Sequence, residues 1–204
     1  LSEIIELAAD IGAERFVLDD GWFGTRDDDT QSLGDWEIDP RKYPEGLGPL
    51  IAKVNQFGMS FGIWFEPEMV NLNSKLYAKH PSWILGPIDQ VLGRNQLLLD
   101  MANPNVQEYL FKKISAILTD HDVNYIKWDH NRVLPHVDAA QTYGTYELMS
   151  RLRNKFPNVE IESCASGGGR IDFGILKYSQ RVWLSDTNDA HERLRIQHQA
   201  SNFL

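Results

Sequence analysis

The stretch YIKWDHNR, residues 125–132, opens on an apolar pair that suits a buried strand and closes on charge. Lys and Asp are among the residues least often buried, and they stay buried only when paired or put to use. Side chains alternate along a strand, so Lys127 and Asp129 share one side while Trp128 takes the other. Four more stretches are built alike: RFVLDD from 15, SFGIWFEPE from 60, NVEIESCASGGG from 158 and RVWLSDTND from 181. Each begins continuously apolar, as strands covered on both faces do. Each ends in Asp, Glu, Cys or Asn followed by a loop former.

Helical periodicity fills the intervals. LSEIIELAADIG (1–12) places Leu1, Ile4, Ile5, Ala8 and Ile11 on one stripe. NPNVQEYLFKKISAILTDH (103–121) offers Asn103 as a cap and Pro104 in the first turn, then repeats Val106, Leu110, Ile114, Ile117 and Leu118 on one face. Residues 139–156 and 189–204 read as two further helices. Strands alternating with helices imply parallel βαβ units and an α/β fold. A doubly wound sheet would concentrate its site at one crevice. A (β/α)₈ TIM barrel gathers a site from many strand tips, and all five strands here end in reactive or polar groups, which favours the barrel. A complete barrel takes ~250 residues, so the 204 residues are expected to supply an incomplete one, about its second to sixth strands. With strands missing, the sheet edges stay open, and this segment alone is expected to fold poorly. Residues 24–48 read as a long polar loop on the same face as the strand tips.

The bulk properties exclude several classes. Twenty-nine acidic residues against twenty basic ones give a net charge of −9, which argues against nucleic acid as a partner, since phosphate-backbone binding needs a basic stripe. No apolar run is long enough to span a membrane. A single cysteine, Cys164, rules out an internal disulfide framework. Six Trp and seven Tyr, several beside carboxylates, suit either an aromatic core or a platform for the flat faces of sugars.

The strand tips carry the chemistry. Lys127 is expected to hold Asp129 ionised by charge attraction, and an ionised carboxylate in a shielded pocket can act as nucleophile or stabilise a developing cation. Asp186, at the end of the last strand, is the better proton donor; Asp189 reads as the cap of the following helix. Two carboxyls with separated acidities are the machinery of glycoside hydrolysis. Asp19 and Asp20 are placed to bind two hydroxyls or one cation, with RDDD (26–29) after them as solvated loop. Trp64 offers a stacking wall, with Glu66 in phase and either structural or catalytic. Arg94 suits an oxygen-rich ligand or a structural ion pair. SCASGGGR (163–170) is neither a phosphate loop nor a serine-hydrolase elbow; Gly167 to Gly169 permit close backbone approach.

Taken together, FVLDDGWFG, LGDWEID, GLGPL, FGIWFEPEMV, HPSW, GRNQLLLD, YIKWDHNR and ESCASGGGRID resemble glycoside hydrolase family 36, the microbial α-galactosidases, in order along nearly the whole chain. The resemblance implies the middle of a catalytic (β/α)₈ barrel, with an N-terminal β-sandwich and a C-terminal β domain outside residues 1–204. It implies Asp129 as nucleophile and Asp186 as acid/base, with Asp19, Asp20, Trp64, Arg94, Lys127, Cys164 and Gly167 around the galactose. The expected activity is exo-acting hydrolysis of α-galactosides such as melibiose and raffinose by double displacement with retention, with no metal or organic cofactor. A homo-oligomer in the cytoplasm goes with the same resemblance. α-N-Acetylgalactosaminidase activity, galactosyl transfer to raffinose-type sugars, and a galactoside-binding protein without catalysis are the alternatives. The chain departs from the family in reading SDTNDA, with Thr187 after Asp186, where members commonly read SDDTDA.

Overall fold

Each of the five apolar stretches forms a strand in the structure, a computed structural model that describes residues 1–136 and 138–202. They are β1 (Arg15–Leu18), β2 (Ser60–Phe65), β5 (Tyr125–Trp128), β6 (Glu160–Ser163) and β7 (Arg181–Val182). Among the described residues they make one parallel sheet in the order β1-β2-β5-β6-β7. The register aligns Leu18 with Ile63, Ile63 with Ile126 and Ile126 with Ile161. Sequential parallel neighbours joined through helices are the arrangement of a (β/α)₈ barrel wall, and the chain forms such a wall in part.

Helix α1 (Ser2–Asp10) precedes β1; α2 (Gly48–Gln56), a short α3 (Lys75–Lys79) with α4 (Pro104–Asp120), and α5 (Ala139–Lys155) occupy the first three connections; a single 3-10 turn (Ile175–Lys177) lies between β6 and β7, and α6 (Ala190–Ala200) follows β7. Helix α4 forms where expected: the Asn103 side chain accepts from Asn105 N–H, and Val106, Leu110, Ile114, Ile117 and Leu118 are all buried. Each such burial contributes ~1.5–3 kcal/mol against the entropy of ordering the chain. Helix α5 is capped by Asp138 and packs along α4. Helix α6 is capped by Asp189, which accepts from Glu192 N–H, the capping role read from the sequence.

Three expectations change. In α1 only Ile5 is buried; Ile4 is 56% and Ile11 86% exposed, so the five-residue stripe does not face this core. The loop 24–48 is not simply polar surface. Leu33, Trp36 and Leu47 are buried in it, and so is Arg26 at 3% exposure, so that within RDDD only Asp27, Asp28 and Asp29 are solvated. In GRNQLLLD, β4 (Gln96–Leu98) pairs antiparallel with β3 (Met69–Asn71) in a ribbon beside the main sheet. Finally, β7 ends at Val182, so Asp186 lies four residues beyond the strand and not on it. The physical reason is that β7 pairs only with β6, through two residues, and one further bond from Trp183 N–H to Ser163 closes the ladder.

Gly144 marks the tightest helix contact. A Cβ there would sit 2.0 Å from the Met101 carbonyl oxygen, whereas one on Gly48 would meet nothing within 4 Å. In the full-length protein, Gly144→Ala is expected to destabilise by ~1–3 kcal/mol or more, lowering the melting temperature by several degrees. Gly48→Ala should stay within ~0.5 kcal/mol. Equal melting temperatures for the two variants would refute this packing.

Candidate active site

Asp129 stands one residue past the tip of β5 and is 6% exposed. Its own N–H continues the ladder to Phe65 of β2 at 2.8 Å. The carboxylate is met by donors from several directions. Oδ2 accepts from the indole of Trp64 at 3.1 Å and from the side-chain amide of Asn131 at 2.5 Å, and Oδ1 accepts from His130 N–H at 2.9 Å. The Cys164 thiol donates as well. Burial alone would raise the pKa of this group; the Cys164, Asn131, Trp64 and His130 hydrogen bonds outweigh it and hold Asp129 below the ordinary carboxylate value. This corrects the expectation that Lys127 does the holding. Neutral donors do it, because Lys127 is turned to another partner.

That partner is Asp19. Lys127 Nζ lies 2.9 Å from Asp19 Oδ2 and 5.0 Å from the centre of the Trp183 ring. Trp183 in turn donates its indole N–H to Asp186 at 2.5 Å. A continuous line therefore runs Asp19, Lys127, Trp183, Asp186 across the tips of β1, β5 and β7, and it brings Asp186 to the same mouth as Asp129. Asp186 is exposed. Asp20 faces a different cation: Arg26 grips it with Nε at 2.9 Å and a terminal nitrogen at 2.8 Å, while also donating to Asn71 at 3.0 Å. Asp20 is thus a clamped carboxylate beside the freer Asp19.

Trp64 is 3% exposed, stacked on Phe23 with an interplanar angle of 11°. Its working edge is the N–H aimed at Asp129, so the open stacking wall expected of it is corrected to a buried donor. The cause is the aromatic packing of Trp22, Phe23, Trp36 and Phe65 around it. Arg94 is exposed, in a left-handed turn with φ 51°, and its charge reaches Glu66. Cys164 is buried at the end of β6, and its thiol is pushed up to about 12 by burial first and by Asp129 second. It stays a neutral donor and not a nucleophile. Gly167 has φ 91°, and a Cβ there would lie 2.9 Å from the Leu184 carbonyl oxygen, so the turn 164–169 tolerates little else.

Sequence reasoning passed over Asn131, Arg26, Glu68 and the bonds of Glu66. Asn131 had a signal, since it is two residues from Asp129 and hence in phase with it. Arg26 had none, because its partners Asp20 and Asn71 meet it only through the fold. Glu68 accepts from Trp128 at 3.0 Å, Thr145 at 2.8 Å and Arg170 at 2.8 Å on the helix side of the sheet. Burial opposes its charge, but Arg170, His130 and Trp128 keep it well below the usual carboxylate range. Among the described residues no three His, Cys, Asp or Glu side chains converge to hold a metal ion, and no helix is long and apolar enough to cross a membrane.

A shielded carboxylate kept ionised by neutral donors, with a second, exposed carboxyl at the same mouth, is arranged for attack on a carbon bearing a leaving group. Comparison with known proteins points the same way. A family model described as Melibiase matches residues 1–204. The α-galactosidase of Escherichia coli is 48% identical over 212 residues, covering all of this chain and 30% of that protein. AgaA, an α-galactosidase of Geobacillus stearothermophilus, is 44% identical over 213 residues, covering 97% and 29%. The crystal structure of AgaA superposes with a TM-score of 0.92 at 43% identity, covering 98% of this chain and 30% of that one. A variant of AgaA crystallised with raffinose gives 0.90 at 42% identity, with the same coverage. The chain thus spans about three tenths of the length of these relatives.

The buried, strongly basic thiolate of Cys164 makes one prediction. With the thiol's pKa pushed up to about 12, almost no thiolate forms at pH 7 to 9. Iodoacetamide applied to the folded full-length protein should leave the peptide bearing Cys164 unmodified, and unfolding should expose it. Alkylation in the folded state, read by mass spectrometry, would overturn this environment.

Proposed function

The chain belongs to the melibiase family, glycoside hydrolase family 36, and on that premise we propose that it carries the reacting carboxylates of a retaining exo-α-galactosidase. The observation that carries the reading is the buried Asp129 at the tip of β5, held ionised by neutral donors; Asp186, bonded to the Trp183 indole beside Lys127, supports it as the second carboxyl. Asp129 Oδ attacks the anomeric carbon from the β face. The bond to the aglycone oxygen breaks, and Asp186 gives its proton to that oxygen. A water then attacks the same carbon from the α face and passes its proton to Asp186, which releases Asp129 and yields α-galactose. Two displacements restore the starting configuration, a path that calls for carboxyls ~5–5.5 Å apart.

The substrate class follows from the rim. Asp19, bonded to Lys127, and Asp20, clamped by Arg26, offer acceptors of fixed direction for neighbouring sugar hydroxyls. Terminal α-galactosides of the raffinose type, the ligand bound to the AgaA variant, match this set.

The deciding experiment uses the full-length enzyme and an activated aryl α-galactoside. Asp129→Ala should lower kcat by at least ~10³-fold, as loss of a reacting group does. Azide should restore turnover by entering the vacated β face, with β-galactosyl azide as product. Near-normal rates in the variant would exclude Asp129 as nucleophile. The hydrogen bonds give a second expectation. Because Asp129 titrates below the ordinary carboxylate value, it stays ionised into the acid range. Removing the indole donor in Trp64→Phe raises its pKa, so less is ionised at a given acid pH. The acid limb of kcat/KM should move up by ~1 pH unit, the equivalent of one charge-assisted hydrogen bond. An unmoved limb would mean that the indole does not hold the reacting carboxylate.

A further inference from the structure

One residue past β2, Glu66 is buried at 1% exposure, beside the strand that carries Asp129. Its Oε1 accepts the backbone N–H of Asn131 at 2.7 Å, and its Oε2 accepts from the Gln96 side-chain amide at 3.0 Å. Asn131 then uses its own amide on both sides: it donates to Asp129 Oδ2 at 2.5 Å and accepts from Ser166 at 3.0 Å. We propose that Glu66 is a positioning residue for the nucleophile, an uncharged acid that fixes the backbone of Asn131 and, through its amide, the direction of the Asp129 carboxylate. The inference rests on the reading of Asp129 as nucleophile.

The surroundings of Glu66 argue for the uncharged form. The ionisable groups whose charge reaches it are Asp129, from the tip of β5, and Arg94, from the turn before β4. Arg94 is exposed and forms no ion pair with it among the described residues. Glu68, two residues on, is engaged with Trp128, Thr145 and Arg170 on the helix side. A buried anion with no cation against it and another anion nearby is unfavourable. An acid needs an acceptor for its proton, and one is at hand: Oε1 of Gln96 is buried without a hydrogen-bond partner. Turning that amide over presents its oxygen to Glu66 Oε2. In line with this, burial and then the charge of Asp129 push Glu66 up to about 8. Ionisation would set two carboxylates against each other across Asn131 and loosen the loop between them.

The test compares wild type, Glu66→Gln and Glu66→Ala in the full-length enzyme. The substrate is an aryl α-galactoside whose leaving group needs no proton, so that Asp186 does not shape the alkaline limb of kcat/KM. Gln copies the uncharged acid, with its oxygen to Asn131 and its amide to Gln96. Glu66→Gln should therefore keep kcat/KM within ~3-fold at pH 6.5, while Glu66→Ala loses kcat by ~10²-fold, the effect of misplacing a reacting group, with KM little changed. In wild type kcat/KM should fall as pH rises through about 8, and in Glu66→Gln that fall should vanish. Superposable alkaline limbs, or a Gln variant as impaired as Ala at pH 6.5, would overturn the role. Should Glu66→Ala fail to fold, the pH profile of Glu66→Gln decides alone. A wild type inert toward the substrate would instead remove the α-galactosidase reading itself.

Discussion

Keeping one carboxylate charged while taking it out of water is the constraint on which the rest of the structure turns. Desolvation works against the ionised form of Asp129, and only hydrogen bonds of fixed geometry offset it. The donors come from three separate strand tips. Trp64 is on β2, Asn131 and His130 follow β5, and Cys164 follows β6. Their convergence depends on the register that sets Trp64 opposite Lys127 and Trp128 opposite Ser163. A slip of one residue in any of the three strands would turn every side chain to the other face, and the carboxylate would lose its donors together.

That register is in turn held from outside the sheet. The loop 24–48 covers β2 with Trp36, and Trp22 donates its indole to the Trp64 carbonyl at 2.9 Å. The Trp64 ring cannot rotate away from Asp129 without disturbing Phe23 and Trp36, whose ring centres lie 6.1 Å from it. The same loop supplies Arg26, which ties Asp20 to Asn71 of the β3–β4 ribbon. A segment that is mostly polar by composition therefore carries both the aromatic support of the proposed nucleophile and the orientation of a rim carboxylate. Long connections at the C-terminal ends of barrel strands are where such tasks fall.

The legible part of this protein was the part with a period. Strands announce themselves by unbroken apolar runs and helices by recurrence, and α4 formed down to its Asn103 cap because every cue lay within four residues of the next. The site was legible where one strand supplied it: Lys127, Trp128 and Asp129 alternate in YIKWD as the pleat requires. It was misread where partners come from elsewhere. Lys127 sits two residues from Asp129 in sequence, yet its charge goes to Asp19, 108 residues away, because Asp19 lies on the same mouth and Asp129 is already enclosed. Trp64 looked like a platform because indole faces bind sugars; the neighbours that bury both its faces are spread from residue 22 to 65.

Three acidic residues crowd the tips of β2 and β5, and their environments divide the roles. Glu68 has Arg170 at 2.8 Å and stays charged as a structural strut. Glu66 has no cation against it and favours the protonated form. Asp129 is charged and meets only neutral donors, and that combination suits a nucleophile better than an ion pair would. A guanidinium or ammonium bound to the attacking carboxylate would have to be displaced, and it would repel the positive charge that develops on the anomeric carbon as the aglycone departs. Turning Lys127 to Asp19 places the nearest cation in a pair whose net charge is zero. The carboxylate is then free to meet an electron-poor carbon with its full charge, and in the proposed mechanism it departs again as a stable anion when water displaces it.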